Sequence, residues 1–88
     1  MNTVYDVQAR VETITENTRL TDKKYGGWKA INIGTAPVTV CGIELLPTEG
    51  LDFTNAVDPG SFWVSPIDIT VQLGGAVRLI RFLYKKHA

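Results

Sequence analysis

The chain holds one cysteine, Cys41, and one histidine, His87. A lone cysteine makes no internal disulfide, and a lone histidine beside the last residue cannot furnish the clustered ligands of a zinc or iron site. Redox and transition-metal roles are therefore not expected, and no cofactor is implied. Nine basic residues balance nine acidic ones, so the strongly basic surface expected of a backbone-neutralising nucleic-acid binder is missing. No apolar run approaches the length of a membrane span, and the opening Met-Asn-Thr-Val-Tyr-Asp has neither the basic nor the apolar region of a signal peptide. The expectation is a soluble product of the cytoplasm, with no membrane partner and no export through a signal peptide. Phosphate loops are lacking too: Gly26-Gly27 and Gly74-Gly75 stand outside any strand-to-helix context and neither precedes Lys-Ser/Thr.

What remains is a chain of 88 residues, 44% hydrophobic and 20% charged, the composition of one ordinary globular domain. That length is near the lower limit for a core without a metal or a disulfide, and oligomerisation is one of the usual remedies. The charges are unevenly spread. Residues 1–40 sum to +1; residues 41–76 carry Glu44, Glu49, Asp52, Asp58 and Asp68 and no base; residues 77–88 carry Arg78, Arg81, Lys85 and Lys86 and no acid. Such segregation either keeps the surface wet or sets the orientation of one subunit against its neighbour.

Alternation dominates the hydrophobic pattern. Tyr5, Val7, Ala9 and Val11 point one way and Asp6, Gln8, Arg10 and Glu12 the other, the period of a half-buried strand. Helical spacing of Val4, Val7, Val11 and Ile14 competes, but the β-branched run Thr13-Ile14-Thr15 favours the strand. Glu16 to Gly27 reads as a polar loop, and Trp28 to Ile33 as a strand. Val38/Val40 and Ile43/Leu45 form the arms of a hairpin, and Leu51 and Phe53 follow the Pro47–Gly50 turn. Ile67, Ile69, Val71 and Leu73 alternate with polar residues, and Gly74-Gly75 reads as a hairpin turn into the last strand. In Val77–Tyr84 both faces are apolar, which predicts a central or doubly covered strand. The whole reads as a single all-β domain over 1–88, a β-sandwich or compact barrel of six or seven antiparallel strands, with an N-terminal arm or strand at 1–15.

Cys41 and Gly42 lie between the two hairpin arms. A two-residue loop of type I′ needs positive φ at both centres, which suits cysteine poorly. The expectation is a type II-like turn with only Gly42 at positive φ, or a longer hairpin. A nucleophilic cysteine needs a base and an electropositive pocket, and this flank is acidic, so Cys41 is read as a bend. Glu44, Glu49 and Asp52 lie close in sequence but in turns or on wet faces, without the buried member that a catalytic carboxylate pair requires. No catalytic residue is assigned, and an enzyme is not expected.

Two groups remain as candidate contacts. Phe62-Trp63 cannot place both rings on the same face of a strand, so one is expected in the core and the other against a neighbour. The last strand combines Arg78, Arg81, Lys85 and Lys86 with aromatic Phe82 and Tyr84, the mixture found in single-strand nucleic-acid binders. With Tyr5 of the N-terminal strand, the contact set is Tyr5, Phe62, Trp63, Arg78, Arg81, Lys85 and Lys86. It serves either subunit assembly or, as the alternative, a nucleic-acid or other ligand-binding barrel.

The segment Asn32-Ile33-Gly34-Thr35 followed by Val38-Thr39-Val40-Cys41-Gly42-Ile43-Glu44-Leu45 and Pro47-Thr48-Glu49-Gly50-Leu51-Asp52-Phe53 resembles a pattern of small β proteins of tailed-bacteriophage particles. There an Asn-x-Gly-Thr turn leads to Val-x-Val-Asn-Gly-x-x-Leu, then Pro-Gly-Glu-Ser and an aromatic strand. Here Cys41 stands where Asn is usual, Thr48 replaces Gly, and Gly50 replaces Ser. The resemblance implies a non-enzymatic structural protein of a virion, made in the host cytoplasm, of the capsid-decoration or head/tail accessory type. Its expected partners are further copies of itself and other virion proteins.

Overall fold

The computed structural model describes residues 5–21, 25–53, 63 and 65–86, and of positions 5, 6 and 84–86 the backbone alone. Eight strands follow one another: β1 (Tyr5–Ile14), β2 (Thr18–Leu20), β3 (Trp28–Asn32), β4 (Val38–Val40), β5 (Ile43–Leu45), β6 (Gly50–Asp52), β7 (Ile67–Val71) and β8 (Val77–Lys86). They form two antiparallel four-stranded sheets, β1-β8-β3-β6 and β2-β7-β4-β5. The described residues contain no helix, so the all-β expectation holds. The strand count is eight rather than six or seven.

The added strand is β2, inside the stretch read as a polar loop. Thr18-Arg19-Leu20 carries almost no strand signal of its own; its pairing with β7 defines it. Arg19 lies 3.6 Å from Asp68 across that pair, and the Asn17 side chain accepts the Val71 amide at 2.8 Å.

Each sheet turns one face to a common core. From the first sheet come Ile14, Trp28, Ala30, Val77 and Leu79, and from the second Val38, Val40, Leu45, Ile67 and Ile69, all buried. Residues directly opposite in an antiparallel ladder share a face, so the register Trp28↔Arg81, Ala30↔Leu79, Asn32↔Val77 places Asn32 and Arg81 in this inner layer. Both are buried. β8 is central, flanked by β1 and β3 as its two-sided apolar pattern predicts.

Tight turns define the second half of the fold. Val40 pairs with Ile43, so the β4–β5 loop is two residues long, and Cys41 and Gly42 take φ of +50° and +80°. Both centres are positive, the mark of a type I′ turn. This corrects both expectations for the loop. The Cys41 amide donates to Asp68 O at 2.8 Å, extending the β4–β7 ladder into the turn. At Leu46–Glu49 the Glu49 amide donates to Leu46 O at 2.9 Å and Thr48 has φ +76°, so Pro47 and Thr48 are the centres of a type II turn.

Gly74, at φ +87°, closes the Gln72–Gly75 turn, but the expected hairpin there is not formed. β7 belongs to one sheet and β8 to the other, so the turn is a corner between layers.

Candidate assembly surface

Potential chemistry is dispersed among the described residues. Cys41 is exposed and free, and its Sγ approaches only the Pro66 carbonyl, at 3.9 Å. Glu44 lies exposed on the outer face of the second sheet, and the Glu49 carboxylate accepts the Leu46 amide at 2.7 Å. No group of three or more His, Cys, Asp or Glu is placed to hold a metal among the described residues. A shallow surface hollow by Asn17, Arg19, Asp68 and Thr70 contains the Arg19–Asp68 pair but no cysteine or histidine to act beside its hydroxyls.

The expected contact residues are drawn apart. Arg81 is 4% exposed; its guanidinium stacks over the Tyr25 ring, 4.3 Å from the centroid, and is paired with the Glu12 carboxylate. An Arg buried this way holds the base of β8 to β1 and is lost to any outer basic surface. Arg78, three residues away, is exposed on the opposite face, so the two arginines do not act together. The parity of Arg81 with the apolar Val77, Leu79 and Leu83 was the available sign of its inward direction.

Trp63 is half-buried in an aromatic triangle with Trp28 (5.5 Å, 85° between planes) and Phe53 (5.2 Å). It is thus the core-directed member of the Phe62-Trp63 pair, while Phe62 lies outside the described residues. Tyr5 and Lys86 face each other across the β1–β8 ladder, and Lys85 faces Asp6; the side chains at these positions lie outside the described residues.

The outer face of the first sheet carries a feature not anticipated from the sequence. β1 was expected to turn its apolar side to the core, and it does the reverse. Val7 and Val11 are 57% and 58% exposed, Ala9 between them is exposed, and Glu12 and Ile14 belong to the inner side. Across the ladder Val11 faces Ile80 and Ala9 faces Phe82, so Val7, Ala9, Val11, Ile80 and Phe82 make one apolar strip. The outer face of the second sheet, by contrast, shows Arg19, Thr39, Glu44, Asp68 and Thr70. The second layer is finished for water throughout, whereas the first is polar at Thr13, Lys29, Asp52 and Arg78 and apolar along the strip.

The strip runs along an edge that no other described strand joins: among the described residues β1 pairs only with β8. β3 accompanies β8 from Val77 to Arg81 and bonds Phe82 through Gly26 and Gly27; beyond that point no described strand flanks β8. Positions 5–8 and 83–86 thus form a two-stranded ribbon standing past the sheet. Such a ribbon is marginal in water by itself. β1 has no proline and no lysine, and its ten-residue register is unbroken by a bulge, so its charged residues Arg10 and Glu12 are the only edge-blunting device among its described side chains.

No family model, curated protein or solved structure matches the chain.

Proposed function

We propose that this chain is a non-enzymatic structural protein of a virus particle, of the capsid-decoration or head/tail accessory type, acting through protein–protein assembly as a homo-oligomer bound to other particle proteins. The observation that carries the reading is the apolar strip Val7-Ala9-Val11-Ile80-Phe82 beside a ten-residue edge that no other described strand joins. A sheet face and edge of this kind serve burial against another chain. The viral setting is supplied by the resemblance of residues 32–53 to small phage-particle proteins.

The alternative, a single-stranded nucleic-acid module, is less well supported. It needs the basic residues of β8 on one accessible face, and Arg81 is buried against Tyr25 and Glu12.

The test is peptide mass spectrometry of density-gradient-purified particles from the source that encodes the chain. Its presence at a fixed copy ratio to the major shell or tail protein is expected, and its absence overturns the reading. Salt-dependent retention of the purified chain on single-stranded DNA would transfer support to the alternative.

A further inference from the structure

Main-chain geometry determines what the edge of β1 turned away from β8 offers. The Phe82 amide donates to Gly27 O, and its carbonyl accepts from Gly26 N, each at 2.8 Å. Both groups therefore point towards β3 and away from β1. Because main-chain direction alternates along an antiparallel strand, the residues of β8 that bond β1 are Leu79, Arg81, Leu83 and Lys85. Their partners are Glu12, Arg10, Gln8 and Asp6. It follows that Val7, Ala9 and Val11 direct their N–H and C=O groups out of the sheet, on the strand whose apolar side chains are also exposed.

We propose that this edge pairs with β1 of a second copy, antiparallel, with Gln8 on the two-fold axis. The inference rests on the reading that the chain works through assembly and names the partner of that surface. Registers that join outward-pointing positions set odd residues opposite odd ones. With Gln8 on the axis, Val7 meets Ala9, position 5 meets Val11, and position 6 meets Arg10, an acid opposite a base on both sides of the axis. With Ala9 on the axis, position 6 would meet Glu12, acid against acid. With Arg10 there, two guanidiniums would face each other. With Val7 there, no charged residue opposes another of opposite sign.

Val11 on the axis would set Arg10 against Glu12, but that carboxylate is already held by the buried Arg81 and lies 3.6 Å from Arg10 of its own chain. Arg10, which also donates to the Tyr25 hydroxyl at 3.4 Å, keeps 58% of its side chain exposed and has further donors to offer position 6 across the Gln8 axis. Like charges directly opposite destabilise a sheet and unlike ones support it, so β1 is complementary to itself in the Gln8-centred register. The same patch serves both partners, as a closed two-fold contact requires. Pairing also gives the projecting ribbon a third strand, which no described segment supplies, and it brings two apolar strips side by side on one outer face.

The test is the mass of the full-length chain in solution by light scattering across a concentration series, with three variants. Ala9→Pro removes an amide that points out of the sheet, so β8 keeps its bonds while two symmetric bonds between copies are lost. The expected result is a dimeric parent and an Ala9→Pro protein with unchanged far-UV circular dichroism and a dimer Kd at least tenfold weaker. Asp6→Arg and Arg10→Asp each place like charges across the axis and should weaken the dimer comparably; mixed one to one, they should restore it as a heterodimer. This mixing experiment keeps the proposal testable should Ala9→Pro unfold.

A parent that is monomeric at every concentration, or folded charge variants that fail to recover on mixing, would overturn the pairing. Neither outcome bears on the presence of the chain in purified particles, and a dimer absent from particles would remove the particle reading while the pairing stands.

Discussion

The Asn32 side chain accepts the Gly34 amide at 2.9 Å and donates to the carbonyls of Ala36 and Leu45, each also at 2.9 Å. One carboxamide thus closes the turn after β3 and ties it to the end of β5. Gly34 is required beside it: a Cβ there would stand 2.5 Å from Ala76 N and 2.6 Å from Gly74 O, both main-chain atoms that cannot swing aside. The Asn-x-Gly-Thr segment that carries the phage-protein resemblance is therefore an Asx turn packed against the corner between the sheets.

Asn32→Ala should cost about 3 kcal/mol, the upper part of the range for leaving buried polar groups without partners. Gly34→Ala should be at least as damaging. Urea unfolding monitored by tryptophan fluorescence measures both, and a change under 1 kcal/mol for Asn32→Ala would contradict this role.

Thr48 and Cys41 hold positive φ where the turn types favour glycine and asparagine. Left-handed backbone costs an L-residue about 1–2 kcal/mol, and glycine gives back about 0.4–1 kcal/mol through the unfolded chain. Thr48→Gly should then raise stability by about 0.5–1 kcal/mol, and Cys41→Asn by a few tenths. Higher thermal midpoints for both are the expected outcome; a lowered one would mean that the native side chain makes a compensating contact.

Trp63 belongs to the fold before any contact with a neighbour. Its packing on Trp28 and Phe53 makes Trp63→Ala a cavity-forming change, with a cost of about 2–4 kcal/mol for a half-buried ring. Val11→Ser, on the exposed strip, should alter stability by no more than about 0.5 kcal/mol. Thermal denaturation at a concentration where the protein is monomeric separates the two.

Breaking the Arg81–Glu12 pair should be asymmetric. Glu12→Ala leaves a buried guanidinium without its carboxylate, a change that costs about 3–5 kcal/mol in buried pairs, discounted here because the Glu12 side chain is 28% exposed. Arg81→Met removes the charge and keeps apolar bulk over Tyr25, so it should be the milder substitution. The order of the two denaturation midpoints decides the point.

The sequence made some of this legible because side-chain periodicity reports how many faces of a strand are covered. β8, apolar on both faces, is indeed central, and β7 alternates between core and water. Periodicity does not report which face is covered. In β1 the alternation separates the two sides, but the more apolar side is the exposed one, because Ile14 and the paired Glu12 lie on the other. Turn chemistry is limited in the same way: Gly74-Gly75 announced a reversal, but whether the next strand rejoins its own sheet or crosses to the other depends on contacts far along the chain. Three-residue β2 had too few residues to show any period.

The β1–β8 ladder joins the two ends of the described chain, from Ile14↔Val77 to Tyr5↔Lys86. Contacts so distant in sequence form slowly, because the chain must close a long loop before any of them is rewarded. On the ribosome β1 emerges before its partner β8, with six described strands between them. Until then Val7 and Val11 belong to an unpaired amphipathic segment, the kind of surface that makes incompletely folded chains associate. The strand placed to join two finished copies is thus also the one that waits longest for its place within a single copy.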